Sequence, residues 1–162
     1  MVVLVYSYFS GAFRLDLWQS DSLAKVAGKY SFDLETLSFT GNVTMEKLTA
    51  FNGELSGLKS VDPLAVVVSE KVSIMADSIV FFDEYSPLAD VLEVTSTPCE
   101  YKSQALKVKS AGLALVERGE ALNTKLSIKY PGKNYAGVAV EGIGGAVEVI
   151  DEFISAMGGI CA

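Results

Sequence analysis

The 162-residue chain has no histidine, only two cysteines and four prolines, and few cations. Without imidazole, Ser-His-Asp and Cys-His nucleophile systems, HExxH zinc sites and histidine-containing zinc fingers are excluded by composition, and the commonest general base near neutral pH is missing. The two cysteines, Cys99 and Cys161, lie far apart and in no ligand-like cluster, so they read as free thiols and no transition metal or other cofactor is expected. Basic charge is sparse as well: 13 Lys and Arg stand against 20 Asp and Glu, for a net charge of −7. The cations are scattered, which excludes a phosphate-tracking surface and hence nucleic acid as a partner. Long hydrophobic runs are also missing. The uncharged stretch from Met1 to Phe13 meets Arg14 and Asp16 before the roughly 20 residues that a bilayer requires, and it has no basic n-region. No membrane span and no signal peptide are therefore expected, and the compartment stays open.

What is present fits one compact domain over residues 1–162, since half of the residues are apolar and a chain of this length can bury a sizeable core. The prevailing pattern is alternation with period two. Val2 to Phe9 is a β-branched and aromatic run, Ser10-Gly11-Ala12 suits a turn, and Phe13, Leu15 and Leu17 alternate with Arg14, Asp16 and Trp18, which predicts a hairpin. Ser20-Asp21-Ser22 suits the cap of a short helical turn through Val26. Tyr30 to Glu35 and Leu37 to Glu46 alternate again. The apolar runs Leu64–Val68 and Val72–Phe82 read as central strands, and Val91–Val94 as a short strand bracketed by Ser86-Pro87 and Thr97-Pro98. Alternating pieces continue from Leu106 to Tyr130. Two stretches stay open: residues 47–60 fit a helix by the spacing of Leu48, Phe51, Leu55 and Leu58 and a hairpin by Asn52-Gly53, and residues 101–116 also admit a helix. At the C-terminus the period changes. Ile143, Val147, Ile150, Ile154 and Met157 recur at i, i+4, i+7, i+11 and i+14, an amphipathic helix stopped by Gly158-Gly159. The expected fold is mainly β, an antiparallel sheet or a partly open, jelly-roll-like barrel with this helix on its apolar face; an α+β arrangement is the alternative.

Few residues combine into chemistry. Ser22-Leu-Ala-Lys25 and Ser56-Gly-Leu-Lys59 have SxxK spacing, but no SDN or KTG element follows either. Gly142-Ile-Gly144-Gly145 reads as a flexible turn opening the last helix, where free N–H groups suit a phosphate, yet Val147 stands where a GxGxxG fingerprint needs glycine. Asp33 and Glu35 would share a strand face at about 7 Å, a spacing within reach of glycosidase carboxylate pairs. Asp83-Glu84 and Glu148/Asp151/Glu152 offer oxygen ligands without a calcium loop. Asn42-Val-Thr44 is a glycosylation sequon. Tyr6, Tyr8 and Trp18 suit either an aromatic strip or core packing.

Phe39-Thr-Gly-Asn-Val43, preceded by Tyr30 to Leu37 and followed by Ile74-Met-Ala-Asp-Ser-Ile-Val-Phe81, resembles the strand phrases of the OstA-like lipopolysaccharide-transport proteins. That resemblance implies a β-taco fold that carries lipid along an apolar groove and joins end to end through strand edges. The residue-level reading leans away from catalysis and toward a non-enzymatic structural or assembly subunit. Such a subunit would self-associate, as a homo-oligomer or with a protein partner, through Val2, Leu4, Tyr6, Tyr8 and Trp18 at strand edges or through Ile150 and Ile154 on the last helix. A carrier of an apolar small molecule or lipid is the alternative, and a carboxylate-based enzyme the second.

Overall fold

A computed structural model describes residues 21–127 and 137–161, and more than three quarters of them are helical. In chain order the elements are α1 (Asp21–Lys29), β1 (Phe32–Asp33), β2 (Ser38–Phe39), α2 (Met45–Ser56), α3 (Pro63–Val94), a 3-10 turn (Pro98–Tyr101), α4 (Lys102–Ser127) and α5 (Gly137–Met157). The two strands form one antiparallel pair with Phe32 opposite Phe39. The fold is mainly α, which overturns both the β-rich architecture and the sheet on which the last helix was expected to lie.

The corrections have identifiable causes. Leu64–Val68, Val72–Phe82 and Val91–Val94 lie in the single 32-residue helix α3, not in strands. Near-continuous apolar runs lose their periodicity, and length then separates a buried helix from a strand. Asp62-Pro63 starts that helix: Asp62 is buried and its Oδ1 accepts from Leu64 N at 3.0 Å, while Pro63 occupies the first turn, where its missing N–H costs nothing. Pro87 lies inside α3 but is exposed, so the carbonyl it leaves unpaired can turn to water. Residues 106–127 are helix as well. The open stretches 47–60 and 101–116 resolve to α2, whose N-cap Thr44 accepts from Lys47 N at 3.1 Å, and to the 3-10 turn followed by α4. Gly142, Gly144 and Gly145 fall within α5 and not at its start. Cys99 and Cys161 are joined in a disulfide, with Cα atoms 5.5 Å apart, so the free-thiol reading is also overturned. The N-terminal strand and hairpin expected over residues 2–18 lie outside the described residues.

The chain divides into two compact units, one of residues 1–76 and 121–136, the other of residues 77–120 and 137–162. In the first, Phe51 of α2 is fully buried and gathers Tyr30, Phe32 and Phe39 around it with ring centroids 5.0, 5.2 and 5.8 Å away. Leu37 closes the β1–β2 turn in a left-handed conformation, φ 54°, and is held there by burial. Asn52 bridges helices: its Oδ1 accepts from Ser69 Oγ at 2.6 Å and its Nδ2 donates to Ser73 Oγ at 2.9 Å. A turn-forming dipeptide is thereby committed to a helix interface.

In the second unit, buried and partly buried positions recur at alternating steps of three and four. Phe81, Tyr85, Leu88 and Leu92 of α3 meet Ala105, Val108, Gly112 and Leu115 of α4 and the α5 series Ile143, Val147, Ile150, Ile154 and Met157. This is the seam spacing that lets helices interdigitate. The five apolar residues expected of the last helix thus pack inward, against helices.

Gly112 is the tightest point, since an added Cβ would lie 2.5 Å from Val147 Cγ2 and 2.8 Å from Phe81 Cε1. Replacing Gly112 by Ala gains about 1 kcal/mol of helix propensity but overpacks a buried seam at about 1–3 kcal/mol, so the melting temperature should fall. Gly144→Ala meets nothing within 4 Å and should raise it through the same propensity term. Ile150 is fully buried, and Ile150→Asp should cost at least about 3 kcal/mol by placing an unpaired charge in the core. Thermal unfolding followed by circular dichroism checks all three; a neutral Gly112→Ala would mean that the seam yields.

Candidate functional site

Within the second unit, α3 and α4 run antiparallel, as shown by Asp77 meeting Arg118 and Phe81 meeting Gly112. Between them lies an open groove of about 350 Å³. From α3 it is lined by Asp77, Val80, Phe81 and Glu84, and from α4 by Lys107, Ala111, Ala114, Leu115 and Arg118. Helical spacing produces this arrangement. Residues 107, 111, 114 and 118 share one face of α4, and residues 77, 80, 81 and 84 share one face of α3. Phe81 and Leu115 are buried and form the floor, Val80 is 44% exposed, and the short side chains of Ala111 and Ala114 leave the space open.

The rim is charged in an ordered way, with carboxylates on the α3 wall and cations on the α4 wall. At one end Arg118 Nη1 donates to Asp77 Oδ2 at 2.6 Å. At the other, Lys107 has no carboxylate partner among the described residues. Hydroxyl, thiol and imidazole are missing from the lining, whose polar groups are carboxylates and cations.

The residues singled out from sequence are dispersed. Val2, Leu4, Tyr6, Tyr8 and Trp18 lie outside the described residues. Ile150 is fully buried, and Ile154 is partly buried and packs against the core. Ser56 Oγ donates to the Asn52 carbonyl at 3.0 Å, within its own helix. Asp33 and Glu35 do not form a paired-carboxylate site: Asp33 Oδ1 accepts from Glu35 N at 2.8 Å in a turn. Asp151 pairs with Lys109 at 2.6 Å, and no group of three or more His, Cys, Asp or Glu is placed to hold a metal ion among the described residues. Among those residues, too, no helix is long and apolar enough to cross a membrane. Apart from Glu84, which the sequence pairs with Asp83 as a source of oxygen ligands, the groove residues escaped the sequence reading, because the faces at 77/80/81/84 and 107/111/114/118 appear only once both segments are read as helices.

Comparison with protein-family models, with curated proteins and with solved structures finds no match. The strand phrases behind the OstA-like resemblance do not form the expected β-taco either, since Ile74 to Phe81 lies in α3.

Burial pushes the Lys71 ammonium down and the Tyr85 phenol up, the latter with help from Asp90. In the first unit Glu54 accepts from Tyr30 Oη and from Lys29 Nζ, and these two hydrogen bonds, Tyr30 first, hold its carboxyl below the ordinary glutamate value. A depressed folded-state value means that the contribution of Glu54 is complete above its unfolded value and is lost as pH falls through the folded one. Glu54→Gln should therefore lower the melting temperature slightly at pH 6 and change it less at pH 2. An equal difference at both pH values would sink the assignment.

Proposed function

We propose that this chain is a non-catalytic binding module that holds a small amphipathic molecule, with an apolar body and a carboxylate end, in the groove between α3 and α4. The observation that carries the reading is the groove itself: about 350 Å³ with an apolar floor and a charged rim, in the size and composition range of small-ligand sites. Val80, Phe81, Ala111, Ala114 and Leu115 suit the body. Lys107 suits the head, since Arg118 at the far end is already paired with Asp77. Apolar burial supplies most of the attraction, and the cation fixes which end of the ligand goes where. The reading departs from self-assembly through strand edges or through the α5 face. The former residues lie outside the described ones, and the latter pack into the core.

Isothermal titration with decanoate, decanol and decylammonium, each as monomer, tests it. Decanoate should bind saturably at one site, and Ala111→Trp, which fills the groove from an exposed position, should abolish that binding. Lys107→Ala should weaken decanoate about tenfold, equivalent to 1.4 kcal/mol, and leave decanol unchanged. Binding that never saturates, or that survives Ala111→Trp, would overturn the proposal.

A further inference from the structure

The groove leaves the glycosylation sequon unused. Asn42-Val43-Thr44 is the single Asn-x-Ser/Thr triplet in the 162 residues, and its middle residue is not proline. It lies between β2 and α2, outside any helix or strand, and Asn42 is exposed. Lys47 Nζ donates to the Asn42 backbone carbonyl at 3.0 Å, while the carboxamide is engaged by no other described residue. At the adjacent Gly41 nothing lies within 4 Å of an added Cβ, so the surroundings are open. A bulky group on Asn42 Nδ2 would project into solvent without displacing the packing of α2, whose buried residues are Leu48, Phe51 and Leu55.

The second observation is independent of the motif and belongs to the other unit. Cys99 in the 3-10 turn is bonded to Cys161 just beyond α5. Disulfides of this kind form and persist in oxidising compartments. In eukaryotic cells the compartment that oxidises thiols is also the one in which Asn-x-Ser/Thr triplets are glycosylated.

We propose that Asn42 is an N-glycosylation site. In the transfer, Asn42 Nδ2 forms a bond to C1 of an oligosaccharide carried on a lipid pyrophosphate. The bond from C1 to the pyrophosphate oxygen breaks, the lipid pyrophosphate departs, and Nδ2 yields one of its two protons to a base on the transferase. No oxidant or reductant is required. Thr44 has two successive roles. Its hydroxyl is the recognition element of the triplet in the unfolded chain, and after folding it accepts from Lys47 N at 3.1 Å as the cap of α2. Transfer therefore precedes formation of this cap.

The test has two arms. The chain isolated from its natural source, digested and treated with a peptide N-glycosidase in heavy-oxygen water, should yield the Asn42 peptide as aspartate carrying one heavy oxygen. The full chain passed through a eukaryotic secretory pathway should show one glycosidase-sensitive mass shift that is lost in Asn42→Gln and retained in Thr44→Ser. Asn42→Gln leaves the Thr44 cap intact, and an unchanged far-ultraviolet circular dichroism spectrum would establish that loss of the shift is not loss of the fold. Recovery of the Asn42 peptide wholly unmodified from the natural source, or a shift that persists in Asn42→Gln, would overturn the proposal.

Discussion

In the second unit three helices close on one another at Gly112, where a Cβ would lie within 2.8 Å of both Val147 and Phe81. Glycine weakens an isolated helix, so its position in the middle of α4 makes sense only through packing. The missing side chain lets the ring of Phe81 and the branch of Val147 press against the α4 backbone. Once that separation is fixed, the seams on either side fall into place: Val108 and Leu115 flank the contact on α4, and Ile143 and Ile150 flank it on α5. The groove depends on the same contact. Phe81 touches the Gly112 position and also lines the groove, so the side chain that closes the core supplies part of the floor of the candidate site.

The last helix was legible because its apolar residues are separated by polar ones, so that a 3.6-residue period stands out between Ile143 and Met157. In α3 the same physics hides the period. Leu64, Ala65, Val67 and Val68 are all buried on adjoining faces, and a β-branched run with so few polar interruptions imitates a central strand. The α4 segment misled for a different reason. Lys107 and Lys109 around Val108, and Lys125 near Leu126, alternate locally, while the longer series Ala105, Val108, Gly112, Leu115, Leu122 and Leu126 keeps heptad spacing. Small residues at 105 and 112 are weak hydrophobic markers, so the series is inconspicuous unless sought at that spacing. The disulfide had no sequence signature at all, because proximity of Cys99 and Cys161 follows from the packing of α3, α4 and α5.

Asn52 illustrates how tertiary partners override a local signal. Asn-Gly favours a type I′ turn because both residues tolerate positive φ, and an exposed Asn-Gly pair would express that preference. Here both polar ends of the carboxamide are met by hydroxyls from α3, Ser69 and Ser73 one turn apart. Ser69 is itself buried, so these hydrogen bonds satisfy groups that would otherwise be stranded away from water. A strong turn former therefore sits in mid-helix, and the neighbouring Gly53 is accommodated with open space around it.

The charges at the groove rim differ in what a ligand could disturb. Arg118 and Asp77 remain about a third and a half exposed, so their pairing contributes at most about 1 kcal/mol, yet it neutralises the cation at that end. Lys107 carries its charge at the other end without such compensation among the described residues. An anionic head placed at Arg118 must compete with Asp77, whereas one placed at Lys107 breaks no ion pair among the described residues. The long stem of Lys107 can also lie along apolar surface while its ammonium stays at the rim. For the amphipathic ligand proposed above, the existing ion pair at one end would make Lys107 the better anchor of the two cations.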